Sequence, residues 1–90
     1  MEKPGTHPIR VDAGLWRNTM LPEGYIESWL RPDGAAVEAG DPVAAIRIED
    51  ALHDLPAPAQ GLLHILEKVN AVVEPGTVIG EIRSPPDARS

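Results

Sequence analysis

The sequence has no cysteine and no phenylalanine, one tyrosine, two tryptophans, and only two lysines among its eight basic residues. Without cysteine there are no disulfides, no thiolate metal centres and no thiol nucleophile. With so few aromatics the core must be built from Val, Ile, Leu and Ala, and β-branched side chains favour strands over helices. The scarcity of bases leaves a net charge of −6, and the eight Lys and Arg are scattered. A nucleic-acid interface needs a clustered basic surface, so nucleic acid is not an expected partner. No apolar run approaches the ~20 residues of a membrane span. The opening Met1-Glu2-Lys3-Pro4-Gly5 has no apolar segment of the kind a secretory signal carries, so the expected location is the cytoplasm.

Prolines and glycines are plentiful: ten and eight in 90 residues. That density argues for short strands joined by tight turns. The expected organisation is a loose N-terminal tail over 1–8, one domain over 9–83 and a loose C-terminal tail over 84–90. Strands are expected over Ile9–Val11, Tyr25–Leu30, Val43–Ile48, Leu52–Leu55, Leu62–Leu66 and Val78–Ile82, with shorter ones at Val37 and Val72-Val73. Leu15 and Trp16 lie in a long loop, Asp12 to Pro22, and are placed to tuck onto the core, Trp16 by packing over a sheet edge. Arg31-Pro32-Asp33-Gly34 has the residues of a turn, and Glu49-Asp50-Ala51 reads as a hairpin tip. Pro56-Ala57-Pro58 cannot sustain a ladder and belongs at an edge or in a connection.

The chain also repeats itself. Glu38-Ala39-Gly40-Asp41-Pro42-Val43-Ala44-Ala45-Ile46 and Glu74-Pro75-Gly76-Thr77-Val78-Ile79-Gly80-Glu81-Ile82 share the pattern E-x-G-x-x-[V/I]-x-x-I. Upstream of each, a glycine opens an apolar strand, at Gly24 and at Gly61. Two similar halves face to face would bury Ile26, Trp29, Val37, Val43 and Ile46 against Leu63, Ile65, Val73, Ile79 and Ile82.

These residues resemble the biotinyl/lipoyl attachment domain family. Gly24, Ile26, Trp29, Gly34, Val37, Gly40, Asp41 and Val43 follow its pattern G-x-I-x-x-W-x₄-G-x₂-V-x₂-G-D-x-V. Pro56, Ala57, Pro58, Gly61 and Leu63 follow P-A-P-x-x-G-x-L, and Val73, Gly76 and Ile79 follow V-x-x-G-x-x-I. The resemblance implies an all-β fold, a flattened β-barrel or sandwich of two four-stranded sheets with quasi-two-fold symmetry. It also implies a carrier lysine at a hairpin tip, eleven residues before the glycine of P-A-P-x-x-G. Eleven residues before Gly61 stands Asp50, between Glu49 and Ala51, where the lipoyl pattern has aspartate and alanine. Attachment joins an amine to the carboxyl of lipoate or biotin, and a carboxylate cannot provide the nitrogen. Lys3 and Lys68 lack the context of that tip.

Other constellations are sparse. His7, His53 and His64 have no metal-ligand spacing, and no metal site is expected. Glu49 and Asp50 are adjacent, and on a strand they would point to opposite faces rather than act as paired carboxylates. There is no G-x-S-x-G and no phosphate-binding glycine loop, so no enzyme and no catalytic residue is expected. The resulting expectation is a non-enzymatic, monomeric domain with neither lipoate nor biotin. It would contact a dehydrogenase, carboxylase or ligase component through Glu49, Asp50, Ala51, His53 and Asp54. The alternative is a genuine carrier modified at an unidentified residue.

Overall fold

Short strands and tight turns leave backbone groups that only neighbouring strands can satisfy, and the chain resolves this by pairing all of them into two sheets. The computed structural model describes residues 5–17 and 19–84. Eight strands follow in order: β1 Thr6–Arg10, β2 Gly24–Trp29, β3 Ala36–Val37, β4 Pro42–Ile48, β5 Ala51–Pro56, β6 Gly61–Ile65, β7 Val72–Val73 and β8 Val78–Arg83. A single 3₁₀ turn, Ala13–Trp16, is the one helical element among the described residues. The strands form two four-stranded sheets ordered β1-β8-β6-β3 and β5-β4-β2-β7, with every pairing antiparallel.

The halves are related by a quasi-two-fold axis, and the repeat is its sequence signature. Glu38 and Glu74 each accept from a backbone N–H three residues on, Asp41 N at 3.1 Å and Thr77 N at 3.0 Å. In return, the side chain of Asp41 accepts from Glu38 N at 2.9 Å, and the hydroxyl of Thr77 accepts from Glu74 N at 2.9 Å. Gly40 N donates to Ala57 O at 2.9 Å, as Gly76 N does to Val11 O at 2.8 Å. Gly40 and Gly76 both have positive φ, 92° and 89°. In the two matching β-turns before β3 and β7, Gly34 (φ 89°) corresponds to Asn70 (φ 77°); asparagine tolerates the left-handed region better than most residues.

The core lies between the sheets. Ile26, Val37, Val43 and Ile46 from one half meet Leu63, Val73, Ile79 and Ile82 from the other, all buried. Trp29 and Ile65, expected inside, are half-buried and pack against this cluster from its margin. Ile9, Val11, Ile48, Leu55 and Ala57 join it. Leu15 and Trp16 also pack on it, so the loop before β2 closes over the core.

Two expectations are corrected. The folded part begins at Thr6 rather than Ile9, because Thr6, His7 and Pro8 pair with Arg83, Ile82 and Glu81. Pro8 and the polar residues around it read as a loose tail, but β1 is an edge strand, where a missing N–H is tolerated. At the other end Ser84 N donates to Gly5 O at 2.7 Å, so the ladder extends one residue into the expected C-terminal tail. The remainder of both expected tails, 1–4 and 85–90, lies outside the described residues. The loop between β5 and β6 agrees with the sequence: Pro56 ends β5 at a sheet edge, and Ala57 N donates to Asp41 O at 2.8 Å.

Candidate functional site

β4 and β5 form a hairpin whose ladder runs to Ile48↔Ala51, leaving Glu49 and Asp50 as a two-residue loop. Such loops need positive φ at one or both positions. Here Glu49 adopts it, with φ 54°. A residue with a Cβ is strained there by roughly 1–2 kcal/mol. Its carboxylate offsets that strain: Oε2 accepts from Met20 N at 2.6 Å and Leu21 N at 2.8 Å. The tip is thereby tied to the loop before β2, some thirty residues away in sequence. That loop is itself ordered by Asp12, whose side chain accepts from Gly14 N at 3.0 Å, and by Thr19 N and Oγ1, which both donate to Trp16 O.

The five residues expected to form a contact are distributed as follows. Glu49 and Asp50 are turn residues, so alternation along a strand does not separate them; the Glu49 carboxylate is turned to the Met20 and Leu21 amides instead. The Asp50 side chain is exposed, while its carbonyl accepts from Arg47 Nη1 at 3.3 Å. Asp50, Ala51 and His53 line an open hollow of about 500 Å³, whose other wall is Gly14, Leu15 and Arg17. Asp54, the next residue along β5, projects to the opposite face of the sheet. No group of three or more His, Asp or Glu able to hold a metal occurs among the described residues.

The outer face of the sheet carries a feature that the sequence reading missed. Leu52 pairs with Arg47, Arg47 with Tyr25, and Tyr25 with Val72, which sets one residue from each of β5, β4, β2 and β7 in a row. Residues directly opposite in a sheet share a face. In the middle of the row Arg47 Nε donates to Glu27 Oε1 at 2.8 Å and Nη2 to Glu27 Oε2 at 3.2 Å. The bonded guanidinium holds the Glu27 carboxyl below the usual carboxylate range, outweighing the opposing effect of burial. The same bond raises the Arg47 guanidinium. The signal available in sequence was the alternation of Leu52 with His53 and of Tyr25 with Ile26, but it becomes a row only once the register is known.

A family model described as "Biotin-requiring enzyme", the biotin/lipoyl attachment domain, matches residues 18–82. The chain belongs to the biotin/lipoyl attachment family. Among solved structures, the lipoyl domain of the 2-oxoglutarate dehydrogenase complex from Azotobacter vinelandii is similar, with a TM-score of 0.63 and 20% identity over 82% of this chain and 94% of that one. A single-chain, multi-domain long-chain acyl-CoA carboxylase is similar over all of this chain and 8% of its own, with a TM-score of 0.65 and 21% identity. No curated protein sequence matches. Biotin/lipoyl domains take their prosthetic group as an amide, and the β4–β5 loop of this member of the family offers two carboxylates and no amine. These side chains do not fit covalent attachment at the loop. Of the lysines, Lys68 is exposed beside the Val69-Asn70 turn, and Lys3 lies outside the described residues.

Proposed function

We propose that this chain is a non-enzymatic interaction domain of the biotin/lipoyl family, in which Asp50 stands where carrier members bear the modified lysine. The observation that carries this reading is the β4–β5 hairpin: its register is complete to Ile48↔Ala51, its loop has two residues, and those residues are Glu49 and Asp50. Without an amine there, neither lipoate nor biotin is held at the tip. A domain that keeps the fold and loses the arm retains its surfaces, and the proposed role is recognition by a component of a cofactor-dependent system. Dehydrogenase and carboxylase complexes are the proposed setting, because domains of this fold occur in both. A ligase that reads carrier domains is the third candidate.

The intact mass of the protein from its native host tests the reading. The unmodified mass is expected; a lipoyl or biotinyl increment would overturn it in favour of a carrier modified elsewhere. A second test is Asp50→Lys, presented separately to a lipoate ligase and a biotin ligase. An acidic residue and an alanine, Glu49 and Ala51, already flank the tip where the lipoyl pattern has aspartate and alanine, so acylation by the lipoate enzyme is expected. Failure with both enzymes would mean that Asp50 is not what withholds modification.

A further inference from the structure

The row Leu52–Arg47–Tyr25–Val72 is apolar and exposed at three of its four positions: Leu52 is 48% accessible, Tyr25 40% and Val72 65%. Beside it, Met20 is 90% and Leu21 57% accessible, on the segment that Glu49 ties to the hairpin. Leu21, Tyr25 and Val72 converge with Arg47 and Glu23 on a shallow hollow of about 260 Å³. Scattered exposed apolar residues are ordinary on a small protein. Here three are set on one face by strand register, two stand on the segment held to the hairpin by a long-range hydrogen-bond pair, and Leu21, Tyr25 and Val72 meet at one hollow, which marks an interaction site.

The charges around the set indicate its occupant. Arg47 is the cation of the row and is engaged by both oxygens of Glu27. Glu23 lines the hollow, and Asp54 lies two residues along from Leu52 on the same face. Both are exposed, and neither is ion-paired among the described residues. The unbalanced charge around the apolar set is therefore negative. A second copy of this chain is disfavoured as the occupant: a two-fold contact over this face would bring together the unpaired carboxylates of both copies, Glu23 and Asp54 from each, in a chain of net charge −6. We infer that the outer face of the β5-β4-β2-β7 sheet docks a protein segment that presents apolar side chains flanked by Lys or Arg. An apolar anchor enters the Leu21–Tyr25–Val72 hollow, and its basic neighbours meet Glu23 and Asp54. This inference rests on the interaction-domain reading above and assigns the contact to the sheet face rather than to the hairpin tip alone.

The test is an amide-resolved NMR titration of the whole chain with a synthetic amphipathic peptide of leucine and lysine, beside the same peptide with glutamate for lysine. The lysine peptide is expected to shift the amides of Leu21, Tyr25, Arg47, Leu52 and Val72, and the glutamate peptide to shift none of them. Leu52→Ser and Val72→Ser, checked for folding by circular dichroism, are each expected to weaken binding about tenfold, as loss of an anchoring contact does. Shifts spread over remote carboxylates such as Glu38 and Glu74, with Leu52→Ser binding like the parent, would overturn the proposal as non-specific charge attraction. Dimerisation in sedimentation, abolished by Leu52→Ser, would overturn it in favour of a second copy. An added lipoyl or biotinyl mass would instead remove the interaction-domain reading beneath it. An unmodified mass together with unmoved row amides overturns the face alone.

Discussion

Glu49 illustrates how one residue can couple two parts of a small domain. Its backbone has φ 54°, a conformation that costs a residue with a Cβ, and its carboxylate receives the Met20 and Leu21 amides. The two effects separate by substitution. Glu49→Ala keeps the strain and loses the acceptor; Glu49→Gly loses both. Glu49→Gly is therefore expected to be the more stable variant by about 1 kcal/mol, measured from urea midpoints. In both, hydrogen exchange at the Met20 and Leu21 amides should speed up while exchange in β4 stays slow. Unchanged exchange at those two amides would show that the carboxylate does not tie the loop. Glu27 offers a second test at this scale. Its carboxyl is depressed by the Arg47 guanidinium, so its contribution to stability is present above its unfolded pKa and is lost as pH falls through the lower folded value. Glu27→Gln should accordingly lower the urea midpoint at neutral pH and match the parent once the pH is below that folded value. Equal midpoints at neutral pH would show that solvent screening leaves the pair without effect on stability.

At the scale of elements, the two halves make the same demands at matched places. An added Cβ at Gly24 would stand 2.6 Å from Arg47 O, and one at Gly61 2.5 Å from Arg83 O. Both clashes are with backbone, and β2 and β6 cannot move off β4 and β8 without losing ladder bonds. Gly24→Ala and Gly61→Ala should each destabilise by about 2 kcal/mol or more, with Gly61 the costlier because its φ of 150° adds strain. A thermal or urea denaturation that finds either variant like the parent would contradict the close approach. The same symmetry explains what the sequence could disclose. Glu38 to Ile46 and Glu74 to Ile82 announced the repeat, and Gly24 and Gly61 announced the strand openings, because turns and close approaches tolerate few residue types. The edge strand β1 was harder to see, since its polar residues and Pro8 are held by backbone pairing that leaves no side-chain pattern. The hairpin tip was legible from spacing, while the tie from Glu49 and the Leu52–Arg47–Tyr25–Val72 row were not. Each depends on contacts twenty or more residues apart in sequence, which no local pattern encodes.

For the molecule as a whole, the decisive fact is that neither half is complete alone. β2 pairs with β7 and β3 with β6, so each half's short strand is hydrogen-bonded only by the other half. Val11 N donates to Thr77 O at 2.9 Å, and Gly34 N to Leu63 O at 2.7 Å, again across the halves. The core is one cluster that draws on all eight strands and on the loop carrying Trp16. Such interlocking predicts all-or-none unfolding despite the internal repeat. The two tryptophans report on separate places: Trp16 packs on the core from the loop before β2, and Trp29 ends β2, its Nε1 donating to Glu67 O at 2.9 Å. Trp16→Phe and Trp29→Phe leave one tryptophan each, excited at a wavelength that Tyr25 does not absorb. Within each variant, the urea transition followed by the remaining tryptophan should coincide with the transition followed by far-ultraviolet circular dichroism. The variants need not share a midpoint, since Trp29→Phe removes the donor to Glu67 O. A fluorescence transition that precedes the loss of strand signal in either variant would mean that one half, or the loop before β2, opens independently.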